Sequence, residues 1–199
     1  YLSSIHLLMS KLVTTSNFLN YPINTKYQIK QLNMKDIYLA LAHARDRINR
    51  PLATRYTVSL NNDHSFDIKK LTRIIKNTFK ETGFSFIYSF EYVEKKGLHL
   101  EMIIVTDQSK YSPEHVRKVL IKALINMDGV IITTENDYTK LALNYHQVRG
   151  KYLKTGVKAG HNLKNEVHFK ACVYRASYLA KQDNKQQVQY KKKFGTITG

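Results

Sequence analysis

Two short stretches of the chain carry side chains that could act together in catalysis. The first runs Glu91-Tyr92-Val93-Glu94-Lys95-Lys96-Gly97-Leu98-His99-Leu100-Glu101-Met102 and reads as a β-hairpin. Alternate residues of a strand share a face, so His99 and Glu101 point together while Leu98, Leu100 and Met102 point to the core. A three-residue loop at Lys95-Lys96-Gly97, with Gly97 left-handed, sets Glu91 opposite Glu101 and Val93 opposite His99. Glu91, His99 and Glu101 then converge. One imidazole and two carboxylates, with room for water, suit Mg²⁺ or Mn²⁺ better than structural zinc. A loop of two or four residues would turn Glu91 away. Without a metal, the same alternation describes an ordinary polar strand.

The second stretch is Tyr174-Arg175-Ala176-Ser177-Tyr178-Leu179-Ala180-Lys181. On a helix, Tyr174 and Tyr178 stand one turn apart on one face, with Lys181 close to it. A phenol ionises near 10, so attack on phosphorus requires its charged form to be stabilised. A neighbouring ammonium and a metal-bound phosphate could do this, and Lys181 could also neutralise charge on the pentavalent phosphorus. The chain has 14 tyrosines, so packing alone also explains such a pair. The conjunction of a metal hairpin with a Tyr/Lys helix carries the reading.

These stretches need a scaffold, and the pattern supplies one. Residues 1–50 read as a helical extension, with Asn33 capping a helix over 34–49. The main domain, 51–185, alternates strands and helices. Strands are predicted over 55–60, 84–93, 98–106, 130–134 and 166–172. Helices are predicted over 67–82, from Ser112-Pro113 to Asp128-Gly129, and over 173–182. The region 137–164 is basic and irregular, and the tail 186–199 is read as polar, basic and loosely ordered. The expectation is an α+β fold, a mostly antiparallel five-stranded sheet with helices packed on one face.

The charge points to a polyanionic partner. Lys and Arg outnumber Asp and Glu 32 to 15, a net +17, and a surplus of that size is commonly neutralised by nucleic acid. No apolar run is long enough to span a membrane, and the first residues lack the basic leader and cleavage site of a signal peptide. Cys172 is the single cysteine, which excludes an internal disulfide and suits a reducing cytoplasm. It reads as a small buried side chain. His43, His64, His115, His146 and His161 are placed on loops or exposed helix faces, and His168 in a strand bordering the site.

At this point the residues resemble a family. His99-Leu100-Glu101 resembles the His-hydrophobic-His strand of the HUH endonucleases, and Tyr174-x-x-x-Tyr178-x-x-Lys181 resembles their two-tyrosine helix in rolling-circle initiators. The C-terminal motif looks more narrowly like that of YagK/YfjJ-type, inovirus-like replication proteins. The resemblance covers 54–185. It departs at Glu101, where most members have a second histidine. An oxygen ligand there would favour harder ions, or would mark an inactive copy.

The resemblance implies a metal-dependent enzyme that nicks single-stranded or hairpin origin DNA. Tyr178 or Tyr174 would attack, leaving a 5′-phosphotyrosine and a free 3′-hydroxyl. Tyr178 is the expected first nucleophile, with Tyr174 for the second cut. Arg175, Lys185, Lys96 and Arg55 are read as DNA-binding. No Gly-x-x-x-x-Gly-Lys-Ser/Thr loop is present in the sequence, so a host helicase would unwind duplex and a host polymerase extend the 3′ end. Phage, plasmid and integrated element are all open as sources. The rival readings are a non-catalytic single-strand binder or repressor derived from a nickase, a transposase or relaxase, and a ribosome-associated protein.

Overall fold

The computed structural model describes residues 12–13, 15–131, 143–145, 160–183 and 185–199. Two long strands organise it. β4 (Phe84–Val93) and β5 (Gly97–Asp107) pair antiparallel along their whole lengths. β3 (Pro51–Ser59) lies on the far side of β5, with Pro51 as its first residue, a position where a missing N–H costs the ladder little. Beyond β3, the edge is shared by β6 (Leu143–Tyr145) and the two-residue β7 (His161–Asn162), and β8 (Phe194–Thr198) closes the other edge against β4. Every pairing is antiparallel. A small separate ribbon joins β1 (Asn17–Phe18) to β2 (Tyr21–Pro22).

The α+β architecture is the one expected. Its helices, however, divide between the two sheet faces. α2 (Ile68–Phe79) and α3 (Pro113–Leu124) cover one face, packing Leu71, Ile75, Phe79, Val116 and Leu120 on the even-numbered residues of β4 and β5. Asp67 and Ser112 cap these helices as their side chains accept first-turn amides, which supplies partners for otherwise orphan donors. α1 (Gln31–Arg47) and α4 (Glu166–Ala176) cover the opposite face, packing on Ala53, Ile87, Ile103 and Val105. The N-terminal helix thus shares a core with the sheet. It begins after Lys30 rather than at Asn33, and no side chain caps it. The Lys30 amide instead donates to Ala180 O, next to a bridge between Ile29 and Lys181.

Two stretches differ from the sequence reading. Residues 166–172 form the start of α4, not a strand. Their alternation fits a strand, but Phe169, Cys172, Val173 and Ala176 also make a helical stripe, and all four are buried, the pattern of a helix lying on a core. Asn165 accepts the His168 amide and settles the choice by capping. The outer strand is supplied instead by the tail, read from sequence as loose. Phe194–Thr198 alternates well enough to pair with β4, and Gly195 lets it approach, since a Cβ there would sit 2.6 Å from the Tyr88 hydroxyl. Of the strand expected over 130–134, Val130 bridges Leu60 and Ile131 donates to Ser59 O. Its remaining residues lie outside the described ones. No helix among the described residues is long and apolar enough to cross a membrane.

Candidate metal centre

The β4–β5 hairpin turns through Glu94-Lys95-Lys96, with Val93 opposite Gly97, Glu91 opposite His99 and Ser89 opposite Glu101. The sequence reading puts Glu91 opposite Glu101 and Val93 opposite His99, a slip of two residues. The loop is still three residues long and Gly97 is still left-handed, at φ 70°. An even slip preserves the face, because side chains alternate with period two. Glu91 therefore meets His99 directly and Glu101 across the diagonal.

All three side chains are buried, and each offers a ligand atom within 4.8 Å of the others'. His99 Nε2 lies 3.6 Å from Glu91 Oε2 and 3.9 Å from Glu101 Oε1. The ring's Nδ1 is 3.1 Å from the Gly97 carbonyl. A carbonyl only accepts, so Nδ1 carries a proton and Nε2 is left to take either a second proton or a metal ion.

Two cations hold the carboxylates from behind. Arg55 Nε and Nη2 donate to Glu101 Oε2 at 3.0 and 2.9 Å, joined by the Thr57 hydroxyl at 3.0 Å. Lys181 Nζ sits 2.7 Å from Glu91 Oε2. Neither Glu91 oxygen has a hydrogen-bond partner, and only Oε2 is ion-paired, with Lys181. An oxygen of Glu91, an oxygen of Glu101 and the imidazole nitrogen thus remain for a shared guest. A buried acceptor without a donor is costly, and a divalent cation would satisfy it. The group fits a metal ion.

The charges shift one another. Burial alone would raise the Glu91 carboxyl, but the adjacent His99 imidazole and the Lys181 ammonium outweigh it and hold the group below its ordinary value. Burial would lower His99, yet the adjacent Glu91 carboxylate and the hydrogen bond to the Gly97 carbonyl, with the charge of Glu101, leave it raised.

Tyr178 stands against this group. α4 ends at Ala176 and a 3₁₀ turn, Ser177–Ala180, carries the phenol. The helix expected over 173–182 is thus interrupted. Each 3₁₀ residue advances about 120° rather than about 100°, so Tyr178 is turned further from Tyr174 than an unbroken helix would leave it. Its ring lies with Lys181 Nζ 3.6 Å and Arg55 Cζ 4.9 Å from its centroid, and Tyr27 meets it edge-on. Burial, then the Glu91 and Glu101 charges, push its phenol well above the ordinary range. Sequence spacing predicts that Lys181 lowers that value. Lys181 instead neutralises Glu91 and sits over the ring face.

The other expected site residues fall differently. Tyr174 is half-buried one turn earlier. Arg175 is half-buried and close enough to Arg55 and Glu101 for their charges to act on it. Arg55 is committed to Glu101. Lys185, read as DNA-binding, is buried: its Nζ donates to Leu179 O and desolvation pulls it down to about 8. Lys96 is exposed at the hairpin tip. His161 is not on an exposed loop but buried in β7, where burial and the neighbouring His168 and Arg175 charges depress it to about 3. His168 lies on α4 rather than in a strand. Thr57 and Tyr27 are absent from the sequence reading. Thr57 was findable, since it shares a strand face with Arg55, whereas nothing in the sequence marks Tyr27.

Comparison with protein-family models, curated proteins and solved structures finds no match for this chain. Fold and site together define an α+β protein with a buried Glu-His-Glu group able to hold a metal ion, faced by a tyrosine.

Proposed function

We propose that the protein is an HUH-type nickase that cuts single-stranded or hairpin origin DNA and initiates rolling-circle replication. One observation carries this reading: the Tyr178 ring lies close to Arg55 and Lys181, and its phenol stands against the Glu91 and Glu101 carboxylates of the Glu91–His99–Glu101 group. Packing does not require a phenol to meet two buried carboxylates and an imidazole, whereas phosphoryl transfer to tyrosine does require a phenol beside a cation site.

Glu91, His99 and Glu101 would hold Mg²⁺ or Mn²⁺, which supplies the positive charge on which negative charge at a phosphate can build. The chain's own residues do the rest. Tyr178 Oη bonds to phosphorus as the bond from phosphorus to the 3′-oxygen breaks. The phenolic proton is released to solvent and the departing 3′-oxygen takes up a proton from solvent, so the exchange is proton-neutral. The products are a 5′-phosphotyrosine and a 3′-hydroxyl, the latter a primer for a host polymerase. Arg55 and Lys181 lie against the Tyr178 ring and hold the Glu101 and Glu91 carboxylates in place. Tyr174 serves the second cut. The surplus of cations, +17 over the chain, favours the strand as partner. A host helicase and a bacterial or phage-infected cytoplasm complete the setting.

The test is incubation with labelled single-stranded oligonucleotides and Mn²⁺, read as a covalent shift on a denaturing gel. Tyr178→Phe and Tyr174→Phe should divide the adduct between them, and the double variant should form none. An adduct that survives the double substitution overturns the assignment.

One observation favours a second reading, a non-catalytic single-strand binder or repressor. Arg55 and Lys181 already neutralise both carboxylates, so the cluster is charge-balanced without an ion. Calorimetric titration with Mn²⁺ separates the two, because a purely structural network takes up no metal.

A further inference from the structure

A cavity of about 460 Å³ opens beside the metal centre, walled by Lys30, Lys185, Lys191, Lys192, Lys193 and Phe194. Among the described residues, no Asp or Glu lines it. Its position follows from the sheet. Phe194 pairs with Ser89, and Ser89 pairs with Glu101. Opposite residues share a face, so Phe194 lies on the Glu101 side, two strand spacings or about 10 Å away. The wall is also tied to the tyrosine turn. Lys193 Nζ donates to Lys185 O, and Lys185 Nζ donates to Leu179 O, next to Tyr178. On the other side, Lys30 and Asn33 bring the uncapped start of α1 to the cavity, and its first-turn amides add positive potential.

We propose that this cavity binds the sugar–phosphate backbone of single-stranded DNA next to the cut, independently of metal. The choice of DNA rests on the nickase reading. The chemistry of the cavity is more general. Ammonium groups without a carboxylate partner suit phosphodiesters. The Phe194 ring offers a stacking surface, and Asn33, Gln182 and Gln186 offer amides to base edges, the combination that single-strand binders use. A lipid surface fits less well, because the one large apolar group here is pinned in β8 rather than projecting. Within the site, the metal would hold the phosphate that reacts, and the lysine cavity its neighbours.

The variant Lys30→Gln/Lys191→Gln/Lys192→Gln removes three cavity charges and spares Lys193, whose Nζ holds the Lys185 carbonyl. Its control, Lys69→Gln/Lys76→Gln/Lys122→Gln, removes three exposed charges from α2 and α3 on the opposite sheet face. Thermal melts establish that both fold. Fluorescence anisotropy with a labelled single-stranded oligonucleotide in EDTA then reads binding alone. The cavity variant should lose ~10-fold or more in affinity at 0.1 M salt. Its salt slope should fall by about 2, at ~0.7 for each phosphate that a lysine no longer neutralises. The control should stay near wild type. Equal loss in both variants, no loss in the first, or wild-type binding to anionic vesicles in place of the oligonucleotide overturns the proposal. Adduct formation with Mn²⁺, run in parallel, keeps the two readings apart. Lysine-dependent binding without an adduct retains the cavity and rejects the nickase. An adduct with unchanged binding by the lysine variant does the reverse.

Discussion

The two faces of one sheet are built from the same strands and are filled differently. On β4, Phe84, Phe86, Tyr88 and Phe90 face α2 and α3, while Ser85, Ile87, Ser89 and Glu91 face α1 and α4. β5 repeats the division, with Leu98, Leu100, Met102 and Ile104 on one side and His99, Glu101, Ile103 and Val105 on the other. Both faces are dry. The first gains from burial at low cost, since its side chains carry little that needs a partner. The second buries two carboxylates and an imidazole, which is tolerable only while each is paired. Its apolar residues lie away from the turn and its charges towards the hairpin end. Both faces therefore hold the fold together, and the second also keeps ionisable groups out of water.

The largest expected effect breaks the comparison by chemistry alone. Tyr178→Phe/Tyr174→Phe should lower adduct formation by about 10³-fold or more while leaving the melting temperature nearly unchanged, because it removes both proposed nucleophiles and little packing. Next come two substitutions of matched size on opposite faces. Phe90→Ala opens the aromatic side, at about 3–5 kcal/mol. Lys181→Met strands Glu91 without its cation, at about 3–5 kcal/mol as well. The ion separates them. Mn²⁺ should restore much of the melting temperature of Lys181→Met, since a divalent cation can take over the charge of Glu91. It should raise Phe90→Ala no more than it raises wild type. If Mn²⁺ treats the two alike in thermal melts, the polar face is not a metal site.

The same comparison explains what could be read from the sequence. Two apolar-rich runs about the Lys95-Lys96-Gly97 turn made the long strands legible, and parity protected the convergence of Glu91, His99 and Glu101 even though the register was displaced by two. The caps at Asp67 and Ser112 marked the helices of the apolar face. The opposite face was harder because its elements are set by distant partners. Residues 166–172 satisfy both periods until Asn165 caps them as a helix. The tail becomes a strand only because β4 offers an open edge. Lys181 looked like a partner for phosphate, but its choice of Glu91 depends on the 3₁₀ turn, which periodicity does not announce.

A smaller effect sharpens the account of Glu101. Thr57→Val removes one of three donors to a single carboxylate oxygen while keeping the shape. The Arg55 fork remains, so the loss should be about 1–2 kcal/mol in a denaturant titration. A larger loss would mean that the hydroxyl, and not the guanidinium, orients the ligand.

The least effect is one of sign rather than size. His99 titrates above its ordinary 6.5 in the folded chain. Without metal, its contribution to stability is fully present below 6.5 and is lost as pH rises through the elevated value. Glu91, held below its ordinary 4.5, contributes above that pH and loses its share as pH falls through the depressed value. The metal-free centre is thus most favourable between these limits. A bound ion reverses the upper limb, because it competes with the proton for His99 Nε2 and gains as the proton leaves. The difference in melting temperature between Mn²⁺ and EDTA should therefore widen as pH rises from 6.5, and His99→Gln should flatten it. Phe90→Ala, on the apolar face, should keep the wild-type dependence. A gap that narrows with rising pH would mean that the ion binds elsewhere and that the imidazole is only a proton-bearing partner for its two carboxylates.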